Sequence, residues 1–387
     1  MRCIRALFSL VCLCAAFGAA AVPSRAQTTL VLWHTWQPPQ AALLQEWLAD
    51  YPPLQTGDLI LETIYVPHSQ LSALLDNPPN ARPPDLILST SDALAQPAVR
   101  RFAAVLDRNL TPEFRQTLTP LAWQLAQFNG QVQALPLALE SYTLYYNRAL
   151  IGEGLPNTVR DLAAQAAEVG LILPRDFYPT AGMFFALNGS LLDENANSAL
   201  STNALGNYLI ALRGLADAEG VQFGAAEDGF RQGAVGYLLG GSWRLPTLRA
   251  ALGDDLGVAA LPSVEGRAWL PVARAWQLYI GVGSPFREAN LALARYVLST
   301  DSQQRVGQYG FLPTLPEAAD SAPLLMPLAR ALYEAGVPLP NRPELAALWL
   351  PLREAINAVL EEGRDPLTAA SQAVQRAAEG VAAIRAQ

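Results

Sequence analysis

The stretch "NGQVQALPLALESYTLYYNRALIGEGLPNTVRDL", Asn129 to Leu162, decides how the rest of this chain is read. Asn129-Gly130 is a two-residue hairpin signal, because both residues tolerate the positive φ that a tight turn requires. A long apolar strand follows, with Glu140, Ser141 and Tyr142 set in its middle. A carboxylate inside an apolar layer costs several kcal/mol unless it is paired or solvated. The sequence offers no evident cation beside Glu140, so the cluster is expected to open onto water or a ligand. The stretch closes into a helix, with Asn157 as its expected N-cap and Gly170 as its stop.

Upstream, "TTLVLWHTW" reads as a strand ending in aromatic and polar residues, and "PPQAALLQEWLADY" as a helix with a double Pro at its start. "DLILETIYVP" and "HSQLSALLDN" repeat the strand–helix order, and "PPDLILSTSDALAQ" repeats it again. This alternation predicts βα units on a parallel sheet, whose ligand crevice lies beyond the carboxyl ends of the strands. Those ends are Trp33-His34-Thr35-Trp36 and Ser89-Thr90-Ser91-Asp92. Downstream, "STNALGNYLIALRGLADAEG" is a helix capped near Ser201, and "FRQGAVGYLLGGSWRLPTLRAAL" is helix end, strand, Gly-Gly turn and helix. "LGVAALP" and "RAWQLYIGVG" are strands, and the tail from Ala322 onward is nearly all helical.

The N-terminal "MRCIRALFSLVCLCAAFGAAAVPSRAQ" carries Arg2 and Arg5, an apolar stretch from Ala6 to Ala21, and small residues at Ser24 and Ala26. It reads as a secretory signal peptide over 1–26, cleaved near Ala26, and so as a soluble protein exported to the periplasm or another extracytoplasmic space. Cys3, Cys12 and Cys14 all fall inside it, leaving no thiol for a disulfide, a metal or a nucleophile. About 360 residues remain, more than one core usually organises, so at least two lobes are expected. The 34 acidic residues outnumber 26 basic ones, all of them Arg, which argues against nucleic-acid binding. His34 and His68 are the only histidines, with no His-x-x-x-His spacing, so neither a metal nor another cofactor is expected.

The central stretch resembles extracellular solute-binding protein family 1, in which "G-x-x-x-x-L-P" leads to "L-Y-Y-N-x-x-L" and then "G-L-P-x-T". "PPDLILSTSDALAQ", "ALNGSLLDENANSALS", "FRQGAVGYLLGGSW", "LGVAALP" and "ALARYVLSTDSQQRVGQYGFLPT" follow the family's order from about Thr29 to the C-terminus. Each block is weak alone, and their order together is specific. The nearest flavour is the maltose-type sugar receptor of an ABC importer. The resemblance implies a periplasmic binding protein type II-like fold: two α/β lobes joined by crossing hinge segments, with a ligand cleft between them. The implied lobes are 27–138 with 272–314, and 139–271 with 315–387. Glu140, Ser141 and Tyr142 would lie where the first crossing strand traverses the cleft, with further crossings near Pro262 to Val272 and Gly310 to Leu315. A monomer that hands a sugar to membrane permease subunits is the implied partnership.

Sugars present hydroxyl rims and apolar C–H faces, so carboxylates and flat aromatics are the side chains to look for. Trp243, at the start of a helix after Gly240-Gly241-Ser242, matches a family Trp that stacks on sugar, against a plain packing role. Trp349 matches another, but sits at helical spacing among Leu and Ala, where core packing is equally expected. One of Trp33 and Trp36 is expected to face the cleft. Asp92 is a rim carboxylate or a helix N-cap, and Ser89 lies at the same strand end. Tyr142 and Glu140 are assigned to ligand. Trp276, with Gln277, departs from the small residues common in the family there, narrowing the cleft or adding a stacking face. Arg244 and Arg274 are cations for an anionic ligand, or are solvated or paired across the lobes. A polyamine receptor is the alternative within the fold, favoured by three or four carboxylates in the cleft. A module for chemosensing or partner docking is a further class. A carbohydrate hydrolase is the third; no acid/nucleophile setting and no G-x-S-x-G pattern support it.

Overall fold

A computed structural model describes residues 27–79, 82–152 and 154–386. The expected signal peptide, its cleavage point and all three cysteines lie outside the described residues.

Two sheets carry the molecule. The first is mixed, in the order β13-β6-β12-β3-β1-β2, with β14 pairing with β12. Its strands are β1 (Thr28–His34), β2 (Leu59–Tyr65), β3 (Leu86–Thr90), β6 (Leu135–Glu140), β12 (Val272–Ile280), β13 (Leu312–Pro313) and β14 (Val337–Pro338). The second has the order β11-β7-β10-β8-β9. It comprises β7 (Tyr142–Asn147), β8 (Leu171–Leu173), β9 (Val221–Phe223), β10 (Tyr237–Gly241) and β11 (Leu256–Ala259). A small hairpin pairs β4 (Gln127–Phe128) with β5 (Gln131–Val132) around Asn129 and Gly130, whose φ values of 51° and 76° are those of its turn.

The predicted parallel sheet is realised only in part. β1 pairs in parallel with β2 and β3, but β12 runs antiparallel to both β3 and β6. The βα units therefore build one half of the sheet, and β12, returning after the second sheet's strands, inserts in the opposite sense between β3 and β6, which itself runs the same way as β3. The apolar strand of the central stretch is divided at Ser141: β6 belongs to the first sheet and β7 to the second. The helix after it, Val159–Val169, is capped by Thr158 rather than Asn157. The Thr158 hydroxyl accepts from the Asp161 N–H, and the Asp161 carboxylate accepts from the Thr158 N–H. Gly170 ends it at φ 79°, as expected.

Each sheet has its own core. Leu32, Leu86, Leu88 and Ile280 pack in the first, while Leu173, Leu209, Leu239 and Leu348 pack in the second. A third cluster joins them: Leu139, Tyr145, Val258, Ala275, Leu312 and Leu328 come from both sheets and from the helix Met326–Ala335. The crossing segments are also bonded to one another. The Ser141 hydroxyl donates to the Val272 carbonyl at 2.7 Å, and the Ser242 N–H donates to the Ser141 carbonyl at 2.8 Å. The fold is two α/β lobes sharing a packed seam.

Candidate functional site

The site is built where β6, β7, β10 and β12 meet at that seam. Glu140 closes β6 and stands directly opposite Arg274 of β12 in the antiparallel register. Its side chain is 1% exposed. One carboxylate oxygen accepts from Arg274 Nε at 2.5 Å and also meets Nη2; the other accepts from Trp276 Nε1 at 2.7 Å. Glu140 is thus not the unpaired carboxylate expected from sequence. Its cation is a cross-strand neighbour 134 residues away. Burial works against the charge on Arg274, and the adjoining Glu140 carboxylate together with Tyr178 and Asp92 more than offsets it, holding the guanidinium protonated.

Aromatic rings surround this pair. The Arg274 guanidinium carbon lies 5.6 Å from the Trp243 ring centre and 5.9 Å from that of Tyr178. Tyr142 stands edge-on to both, at 5.2 Å from Trp243 and 5.6 Å from Tyr178. Burial pushes the Tyr142 hydroxyl up to about 12, so it stays a neutral donor. On the first-lobe side, Trp36 stacks on Phe311 at 5.7 Å and lies 5.4 Å from Trp276. Two aromatic groups therefore flank the pair: Trp36, Phe311 and Trp276 on the Glu140 side, and Tyr142, Tyr178 and Trp243 on the Arg274 side.

A cleft of about 350 Å³ opens beside this constellation, lined from the first lobe by His68, Asp92, Gln96 and Arg274 and from the second by Asp176, Tyr178, Trp349 and Arg353. Leu339 to Arg342 form a further wall. Asp92 projects from a short 3-10 turn, Ser91–Ala95, and is 48% exposed. It does not cap that turn; Thr90 holds the cap position. Asp92 lies 3.9 Å from His68 Nε2, while His68 Nδ1 is 3.3 Å from Ser89 Oγ. Asp176 accepts from the Phe177 N–H as the cap of the helix Phe177–Ala186, which carries Tyr178 in its first turn. Trp349 and Arg353 are one turn apart on the helix Ala346–Leu360 and share a face; Arg353 reaches Asp176 at 3.6 Å.

Of the residues singled out in the sequence, Asp92, Arg274 and Trp349 line the cleft; Glu140, Tyr142, Trp243 and Trp276 stand behind it, and Trp33, Trp36, Ser89 and Arg244 lie farther off. Trp33 is 4% exposed and belongs to the first core, and Trp36 is 1% exposed beneath Trp276, so neither presents a face to solvent. Ser89 is fully buried and accepts from the Thr35 hydroxyl. Arg244 is matched by Glu227, whose carboxylate takes its Nε at 2.9 Å and a second N–H besides. That pair lies within the second lobe rather than between lobes. Tyr178, Asp176 and Arg353 line the cleft without having been singled out in the sequence. Only the spacing of Trp349 and Arg353 on one helical face carried a signal.

Residues 65–327 match the bacterial extracellular solute-binding protein family, and the chain belongs to that family. It is 21% identical over 357 residues to the maltotriose-binding protein of Pyrococcus abyssi, covering 86% of this chain and 78% of that one. It is 24% identical over 354 residues to the maltodextrin-binding protein MdxE of Bacillus subtilis, covering 81% of each. Among solved structures, the sugar-binding protein MalE of Xanthomonas citri superposes with a TM-score of 0.81 at 17% identity, over 92% of this chain and 98% of that one. MalE of Bdellovibrio bacteriovorus, bound to maltotriose, gives 0.76 at 22% identity, over 92% and 100%. Among the described residues no helix is long and apolar enough to cross a membrane.

Proposed function

We propose that this solute-binding protein is an extracytoplasmic receptor for a neutral carbohydrate, captured between its lobes and passed to the permease of an ABC importer. The charge balance of the cleft is the observation that carries the reading. The lining carries Asp92 and Asp176 with Arg274, Arg342 and Arg353, and the buried Glu140 behind Arg274 brings the carboxylates level with the guanidinium groups around the aromatic faces. A polyamine would need an excess of carboxylates, and an anion an excess of guanidinium groups. Balanced charges beside the Trp349 and Tyr178 rings suit a polyhydroxylated ligand that accepts and donates hydrogen bonds and stacks its C–H faces. The named sugars of the relatives, maltotriose and maltodextrin, agree with that chemistry. The same geometry disfavours hydrolysis, since both Glu140 oxygens are engaged and neither is placed as a free acid or nucleophile.

The lobes we assign to the closing motion are 27–138 with 272–314 and 139–271 with 315–387, hinged at Ser141 and at the segment between β11 and β12. A ligand seated on one lobe and touching the other shifts the open–closed equilibrium toward the form the permease recognises. Micromolar capture needs about −8 kcal/mol net, within reach of stacked rings and several charge-assisted hydrogen bonds. The test is a calorimetric panel of neutral oligosaccharides, polyamines and organic anions on the mature chain. Heat from oligosaccharides alone supports the reading, and heat from polyamines or anions alone overturns it.

A further inference from the structure

The face of Trp243 that would stack on a sugar is already covered. Its indole rests against Gly241, where a Cβ would come within 2.3 Å of Cζ2. Tyr142 stands nearly perpendicular to it, 5.2 Å between ring centres. Over it, at 5.6 Å, lies the Arg274 guanidinium, which also lies over the ring of Tyr178 at 5.9 Å. A pyranose ring stacked on the indole needs that same space.

We propose that Arg274 is the specificity-determining residue of the cleft: it occupies the ring position over Trp243 from within and so shortens the ligand by one sugar unit. The proposal rests on reading the cleft as a carbohydrate site. Glu140 holds the guanidinium in place, and Trp276 Nε1 holds Glu140, so the occupant is anchored from behind by a carboxylate that is 1% exposed. Swinging Arg274 out would strand that carboxylate without its cation, a cost the ligand would have to meet. A bound sugar instead ends short of the indole. Its last ring meets the outward edge of the guanidinium, which is 29% exposed on the cleft side and presents N–H donors suited to hydroxyl oxygens. Trp243 then acts as the backing of Arg274, through the attraction between cation and ring, and not as the floor of the sugar site.

The experiment compares the native chain with the double variant Glu140→Gln/Arg274→Ala, which removes cation and carboxylate together and keeps an acceptor for Trp276. Calorimetry is run with a ladder of linear maltodextrins, each one glucose longer than the last. The double variant is expected to prefer a ligand one unit longer and to bind it about tenfold more tightly than the native chain does, the worth of one added ring stack. Adding Trp243→Ala to the double variant should cancel the gain. An unchanged length preference with no gain overturns the proposal. Absence of maltodextrin binding in every protein counts against that sugar class as ligand, and the occupancy is then read without ligand. In chains labelled with 5-fluorotryptophan, the fluorine resonance assigned through Trp243→Phe should move when Arg274 is removed; a resonance that stays in place refutes the contact.

Discussion

Cutting Arg274 back to alanine tests the electrostatic seam directly. The variant strands the Glu140 carboxylate, which is 1% exposed and keeps only the Trp276 N–H. Breaking a fully buried ion pair by deleting one partner costs about 3–5 kcal/mol. Arg274 is 29% exposed, so water entering from the cleft solvates part of the stranded charge, and the expected loss falls to about 2–3 kcal/mol. Glu140→Gln leaves the partly exposed guanidinium without its counter-charge but retains an acceptor, at a cost of about 1 kcal/mol. The double variant, with no buried charge left unpaired, should lose only about 1.5 kcal/mol, giving a coupling near 2 kcal/mol. Urea titrations of the ligand-free proteins, followed by far-ultraviolet circular dichroism, measure all four corners of the cycle. Additive losses would refute the reasoning, since they would mean that each side chain acts on stability without the other.

Three further outcomes follow from the same structure. Trp349→Ala should weaken sugar binding about tenfold in calorimetry, because it removes an aromatic face from the cleft wall; an unchanged affinity would make Trp349 a packing residue beside Phe177. Gly182→Ala should destabilise the second lobe by about 1–3 kcal/mol in urea, because its Cβ would stand 1.9 Å from the Leu270 carbonyl oxygen, which cannot yield as a side chain can; native-like stability would refute that contact. The His34 imidazole is held below its ordinary value by burial, opposed only in part by a hydrogen bond with the Trp36 backbone. A depressed folded value means the stability contribution is complete above the unfolded value of about 6.5 and is lost as pH falls. His34→Gln should therefore flatten the drop in unfolding free energy between about pH 7 and pH 5, and parallel pH profiles would count against it.

What the sequence made legible was local or ordered along the chain. Asn129-Gly130 declared its hairpin by residue type, the first βα units declared their parallel strands by period, and the collinear blocks pointed to the two-lobed fold. Asp92 and Trp349 were recognisable because each is fixed by its own element. The Glu140 reading failed because its partner depends on an antiparallel register between β6 and β12, which no local pattern records. Tyr178 escaped notice for the same reason: it reaches Tyr142 only after the helix Phe177–Ala186 docks beside β7. The choice between Asn157 and Thr158 as cap turned on one backbone conformation, with two capable side chains adjacent. Trp33 and Trp36 looked equally placed at the strand end, and burial under Trp276 and within the first core separates them from the cleft.

The position of the Glu140–Arg274 pair gives it a mechanical consequence. Glu140, Arg274 and Trp276 belong to the first sheet, whereas Tyr142 belongs to the second, with Tyr178 and Trp243 packed against it. The separation between Arg274 and Trp243 is therefore a distance between lobes, measured one residue from the point where β6 becomes β7. A change in lobe angle alters the contact between cation and ring, while the ion pair within the first sheet stays intact. A ligand shifts the open–closed equilibrium only as far as its contacts differ between the two forms. On the closing motion proposed above, Arg274 would supply such a difference: closure would bring its outward donors and the second-lobe rings to one side of the ligand, and opening would separate them. The ion pair that fixes Arg274 would thus make ligand occupancy and the proposed lobe closure answer to the same side chain.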